Sequence, residues 1–139
     1  MKAPIIVHDP DHLNAVFESA TALEVSMTAM TAAWAGAAYG ALYWAEATAA
    51  AREKWPDAEV VVALHCLDDA GRAMAALRMG WKRLVFTGER RVRDKIVEQA
   101  AAVDAAVFAE PEAPALDLGE HADPGAVIAD WIAAESRCK

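Results

Sequence analysis

Glu59-Val60-Val61-Val62-Ala63-Leu64-His65-Cys66-Leu67-Asp68-Asp69 decides the fold of this chain. Val60 to Leu64 is an unbroken apolar run, rich in β-branched side chains and without polar alternation. Such a run suits a strand buried on both faces, and strands of that kind belong to parallel sheets covered by helices. Asp68 and Asp69 follow where a helix begins, and a carboxylate there accepts the N–H groups left free in the first turn. Gly80 ends that helix at the position where left-handed backbone is needed.

The same unit recurs on both sides. Upstream, Ile5-Ile6-Val7 is a short buried strand that stops at His8-Asp9-Pro10-Asp11. Pro10 cannot extend a strand, and Asp9 or Asp11 caps a helix from His12 to about Ala22, with Leu13, Val16, Phe17 and Ala20 as its buried stripe. A second strand, about Leu23 to Met30, leads to a helix from about Trp34 to Lys54. Ala33, Gly36, Ala37, Gly40 and Ala41 make one stripe of it smooth enough for another backbone to approach, and Trp55-Pro56 stops it. Downstream, Arg83 to Phe86 is a fourth strand, Arg90 to Ala102 a helix, and Ala105 to Phe108 a fifth strand. Pro111 to Pro124 reads as a proline-rich acidic loop, before a last helix that buries Ile128, Trp131 and Ile132.

Successive βα units predict an α/β fold: a five-stranded parallel sheet with right-handed crossovers and helices on both faces, open, doubly wound and flavodoxin-like. Five strands are too few for a closed eight-stranded barrel, so half of a (β/α)8 barrel is the alternative. The 139 residues suit one domain spanning 1–139.

Composition narrows the function. Hydrophobic residues at 56% and charged residues at 24% exclude both a disordered chain and an integral membrane protein. Val25 to Ala45 carries no charge and is long enough to span a bilayer. It is built from Ala, Gly, Thr and Ser more than from Leu, Ile and Phe, so no membrane association is expected. A net charge of −8 disfavours nucleic acid, and Arg90-Arg91-Val92-Arg93 reads as a solvated helix face. Cys66 and Cys138 show neither metal nor disulfide spacing and read as free thiols of a cytoplasmic protein. Met1 to Ile5 leads straight into strand with no signal-peptide pattern.

In parallel α/β sheets ligands bind at the carboxyl ends of the strands. Those ends supply His8, Asp9 and Asp11, then Thr28 and Thr31, then His65, Cys66, Asp68 and Asp69, then Thr87, Gly88 and Glu89, and finally Glu110. The ligand-binding candidates are His8, Asp9, Thr31, His65, Cys66, Asp68, Thr87 and Gly88. Among them His8, His65 and Asp68 are the residue types that hold a divalent metal or move protons. Structural roles compete at each position: helix caps for the aspartates, hydrogen-bonded core histidines, a small buried thiol, and a turn at Thr87-Gly88 whose N–H groups also suit a phosphate. No Gly-rich phosphate loop, nucleophile elbow or paired C-x-x-C occurs. A divalent metal is the one cofactor these residues suggest.

Thr31-Ala32-Ala33-Trp34-Ala35-Gly36-Ala37-Ala38-Tyr39-Gly40, Val62-Ala63-Leu64-His65 and Met79-Gly80-Trp81-Lys82-Arg83-Leu84-Val85-Phe86-Thr87-Gly88 resemble segments of the class II, zinc-dependent fructose-bisphosphate aldolases. The resemblance runs from Ile5 to about Glu89 and implies the opening strands of a barrel. In that family the strand leads into an H-x-D-H motif, whose aspartate moves a proton and whose second histidine binds zinc. Here Leu67 and Asp68 occupy those places without a gap, and Asp68 and Asp69 after a slip of one residue. The resemblance therefore implies the βα framework without the aldolase chemistry. Asp9, Asp11, Asp68 and Thr87 also resemble the acidic pair, acceptor aspartate and hydroxyl of response-regulator receiver domains, but Glu110-Pro111 replaces their lysine-proline.

The reading that follows is a noncatalytic cytoplasmic domain that associates as a homodimer and binds a small-molecule ligand at the strand-end rim. The smooth helix and five tryptophans supply packing surface for the dimer. A small metal- or phosphometabolite-dependent enzyme using His8, His65 and Asp68 is the first alternative, and a degenerate receiver-like signalling domain the second.

Overall fold

The apolar runs are strands, and they pair in the order in which the chain makes them. In the computed structural model, which describes residues 1–111, 114–119 and 121–137, these are β1 (Ile5–Val7), β2 (Met27–Thr31), β3 (Val60–His65), β4 (Arg83–Val85) and β5 (Ala106–Phe108). A sixth, β6 (Leu116–Asp117), lies inside the segment read as a loop. The sheet order is β5-β4-β3-β2-β1-β6, with every pairing parallel.

Several expectations are corrected. The sheet has six strands, because β6 is too short to carry a period-2 pattern and exists only through its pairing of Leu116 with Ile5 and Asp117 with Ile6. Its order also departs from the flavodoxin-like 2-1-3-4-5, in which the winding reverses beside the first strand. From β1 to β5 every crossover steps the same way, and right-handed crossovers that step one way put their helices on one face. The helices are α1 (Pro10–Leu23), α2 (Ala33–Lys54), α3 (Ala70–Arg78), α4 (Arg90–Ala101) and α5 (Pro124–Arg137). They touch side by side in the order α5-α1-α2-α3-α4, a single layer in place of the two expected.

Strand alternation divides the core accordingly. Ile5, Val7, Ala29, Val60, Val62, Leu64, Leu84 and Phe86 join the helices' Leu13, Phe17, Trp44, Leu77, Ile96 and Ile128 in the main core. Met30, Ala63 and Val85, with Ile6 against them, form a smaller cluster made of strand residues alone.

Local chemistry sets the boundaries. Asp9 caps α1, its Oδ1 accepting the His12 N–H at 2.8 Å, and Pro10 fits the first turn where its missing N–H costs nothing. The helix then runs to Leu23 and ends through left-handed Glu24, so β2 starts at Met27 and not at Leu23 as expected. Gly40, at φ 83° and ψ 172°, breaks α2 in two, in a region of backbone space that only glycine enters without strain. Trp44, fully buried, ties the halves together by donating from Nε1 to the Ala35 carbonyl at 3.0 Å. The charge-free stretch from Val25 to Ala45 is thus divided between β2 and a broken helix. Among the described residues no helix is long and apolar enough to cross a membrane.

The first turn of α2 lies against the carboxyl end of β3. A Cβ on Gly36 would stand 2.3 Å from the His65 carbonyl oxygen and 2.9 Å from Thr31 Oγ1. Gly36→Ala should therefore cost about 2–3 kcal/mol despite alanine's better helix propensity. Gly125→Ala, whose Cβ meets nothing closer than 3.7 Å, should raise stability by roughly 0.5–1 kcal/mol. Urea unfolding of both variants checks the pair; an unchanged midpoint for Gly36→Ala would show that α2 is free to move off the strand.

Candidate functional site at the carboxyl edge of the sheet

At the carboxyl edge two histidines, His8 and His65, each hydrogen-bond a carboxylate. His8 follows β1, and β6 brings Asp117 beside it from 109 residues away, with His8 Nε2 at 2.5 Å from Asp117 Oδ1. Trp34, in the first turn of α2, donates from Nε1 to His8 Nδ1 at 2.9 Å. An indole N–H can only donate, so Nδ1 accepts and the His8 proton sits on Nε2, directed at Asp117. Gly119 permits this contact: a Cβ there would come within 2.8 Å of His8 Nε2, and the Gly119 N–H donates to Asp117 Oδ1 at 2.8 Å. Burial alone would raise the pKa of Asp117. The hydrogen bonds from Gly119 and His8, with the charge of His8 and His12, outweigh it and hold the carboxyl below its ordinary value.

His65 ends β3 and is 2% exposed. Its Nδ1 accepts the Leu67 N–H at 3.0 Å, so Nε2 carries the proton and donates to Glu110 Oε1 at 3.0 Å. Its own N–H goes to the hydroxyl of the fully buried Thr31 at 2.9 Å. Leu67 adopts a left-handed φ of 54°, uncommon for a bulky residue, and its carbonyl accepts the Thr87 N–H at 2.8 Å. The strained turn is thereby tied to His65 on one side and to the end of β4 on the other.

The remaining sequence-predicted residues have more ordinary places. Asp9 is the cap of α1, so that role falls to it and not to Asp11. Asp69 caps α3 through the Arg72 N–H at 3.1 Å and pairs with the Arg72 guanidinium at 3.2 Å, whereas Asp68 is exposed. Thr87 is exposed, and Gly88 packs against the Phe86 ring and Asp68. Cys66 is 1% exposed. Burial pushes its thiol up to about 12, against the lowering charge of Arg72 and with a further push from Asp69, so no thiolate forms at neutral pH. Cys138 lies outside the described residues. The expected metal set of His8, His65 and Asp68 is not assembled: no group of three His, Cys, Asp or Glu side chains that could hold a metal occurs among the described residues. Both nitrogens of each imidazole are, moreover, already hydrogen-bonded.

Three residues that the sequence reading did not single out, Asp117, Gly119 and His121, line an open cleft of about 630 Å³ with His8, and among the described residues neither Lys nor Arg lines it. Trp34 is 52% exposed, and its ring centroid lies 5.8 Å from that of His8. Tyr39 follows at 5.9 Å and stacks on Tyr43 at 4.7 Å, so an aromatic row leads away from the cleft along α2. Gly40 interrupts the helix inside that row, and Trp34 stands five residues before Tyr39, off the spacing of three or four that would have joined it to Tyr39 and Tyr43. No protein-family model and no curated protein matches the chain.

Asp117 yields a pH prediction. Its pKa is lower in the folded chain than the ordinary 3.8, so its contribution to stability is complete above that value and disappears as pH falls through the folded one. Asp117→Asn should therefore be less stable than the parent near pH 6, with the difference closing below 3.8. Urea unfolding across that range tests this. A difference that stays constant with pH would mean that Asp117 is not held ionised by His8 and Gly119.

Proposed function

We propose that this chain is a noncatalytic, cytoplasmic binding domain wound as an open half-barrel. It holds a small amine with a flat apolar body over the carboxyl ends of β1 and β6. The observation that carries this reading is the Trp34–His8–Asp117 chain, which joins an exposed aromatic face to an ionised carboxylate at the edge of a cleft. The half-barrel is supported by the in-order winding with helices on one face, and by Met30, Ala63 and Val85 burying one another on the other. Side chains on neighbouring strands cover each other in that way when a sheet curls towards them.

The ligand class follows from the groups on offer. Asp117 has Oδ1 engaged by His8 and Gly119, which leaves Oδ2 for an ammonium. The half-exposed Trp34 ring attracts a cation through its π face, worth about 1 kcal/mol at such a site. Among the described residues neither Lys nor Arg lines the cleft to repel one. Acid–base catalysis by His8 or His65 is disfavoured because neither imidazole keeps a free nitrogen for a substrate. The panel for the test is benzylamine, phenethylamine and uncharged benzyl alcohol, titrated calorimetrically into the parent, Trp34→Ala and Asp117→Asn. Saturable binding of an amine, absent for the alcohol and weakened about tenfold or more in both variants, is the expected result. Amine affinity equal in all three proteins would sink the assignment.

A second reading, association of two copies, rests on a separate observation. Leu42 is 59% exposed beside Tyr43 at 39% and Tyr39 at 45%, a cluster of apolar surface at the α2 break of the kind that marks interfaces. Sedimentation over a micromolar concentration series should show a dimer that Leu42→Lys dissociates. A monomer throughout would end this reading while leaving the ligand cleft untouched.

A further inference from the structure

We propose a second binding site, at the opposite end of the sheet, for a small phosphomonoester with an apolar body. The second half of α2, the turn after α3 and the amino ends of β3 and β4 enclose a cleft of about 360 Å³. Arg52, Lys82 and Arg83 line it, and among the described residues no Asp or Glu does. The chain has 13 basic residues against 21 acidic ones, so three cations around one unneutralised cleft run against the composition. None of the three has an ion-pair partner among the described residues.

Two of these cations are held by neutral groups, which fix their position and leave their charge uncompensated. Arg52 donates from one terminal nitrogen to the Val60 carbonyl at 3.0 Å, with its guanidinium carbon 5.4 Å from the centroid of the Phe17 ring. Lys82 donates to the Val103 carbonyl at 2.6 Å. A guanidinium has five N–H donors and an ammonium three, so both retain donors for a ligand. Arg83 is exposed at the start of β4. An independent sign is Thr48, also in the lining, whose Oγ1 is buried without a hydrogen-bond partner.

The rest of the lining selects the body of the ligand. Ala45 and Ala49, one turn apart on α2, leave the space open, and Met79 and Trp81 give it apolar walls. Gly80, at φ 98°, makes the turn that sets Trp81, and Trp81 Nε1 is pinned to the Ala41 carbonyl at 3.1 Å. Three cations, two of them guanidinium forks, suit a dianionic phosphate better than a single carboxylate.

The test is calorimetric titration of the full chain with phenyl phosphate, inorganic phosphate, benzoate and benzyl alcohol, in the parent, Arg83→Gln, Lys82→Gln and Trp34→Ala. Phenyl phosphate should bind saturably and more tightly than the other three probes, and more weakly as salt is raised. Arg83→Gln, which removes no recorded contact and should fold normally by circular dichroism, should weaken it about tenfold or more. Lys82→Gln should act in the same direction, and Trp34→Ala, at the other end of the sheet, should leave binding unchanged. No saturable binding of phenyl phosphate at millimolar concentration overturns the proposal, as does parental affinity in Arg83→Gln. Equal binding of inorganic phosphate overturns the apolar half, and equal binding of benzoate the assignment to a phosphate.

Discussion

At Gly36 the first turn of α2 lies on the carbonyl of His65, closer than any side chain would allow. This contact organises the carboxyl edge. It fixes where α2 begins and so carries Trp34, two residues earlier, towards His8. It also encloses the Thr31 hydroxyl, which then takes the His65 N–H. With the end of β3 held from above and below, Leu67 is kept in a left-handed conformation that its own side chain disfavours. A residue with a Cβ at position 36 would separate the helix from the strand, and the indole, both histidines and the strained turn would lose their common reference.

The histidines show how donors decide chemistry. Each imidazole accepts at Nδ1 from a group that can only donate, an indole N–H for His8 and a backbone N–H for His65. Each therefore directs its remaining proton at a carboxylate. Residue types that suggest metal binding or proton transfer in a sequence are here joints between chain segments: β1 to α2 and β6, and β3 to the stretch after β5. The two ends of the sheet also differ in charge: among the described residues a carboxylate and neither Lys nor Arg line the cleft at the carboxyl edge, and three cations and no carboxylate line the one at the amino ends. The smooth face of α2 contributes to the second cleft because alanines leave space that larger side chains would fill.

The legible part of the fold was the part with strong periodicity. β3 stood out because a both-sides-buried strand of six residues has no polar interruption, α1 followed from its apolar stripe and cap, and α3 from its acidic cap and Gly80. The carboxyl-edge position of His8, Thr31 and His65 was legible for the same reason, since each directly follows or ends an apolar run. The choice between Asp68 and Asp69 was not, because both side chains lie at a plausible cap position and only the backbone angles at Asp69 put its carboxylate over the Arg72 N–H. β6 was hidden because two residues carry no pattern, and with it went Asp117 and Gly119.

Taken alone, the sequence determined the type and order of the elements, since strand and helix are set by local periodicity, capping and the placement of proline and glycine. It also determined that the strands would lie parallel, because each is followed by a helix long enough to return the chain. The tertiary structure decided the neighbours: sequential order, one helical layer, and β6 against β1 instead of β5. Those choices depend on the direction of each crossover and on pairing across more than a hundred residues, neither of which leaves a local trace. The Trp34–His8–Asp117 chain belongs to that second kind of information, because its members meet only after the sheet has brought the first strand and the last together.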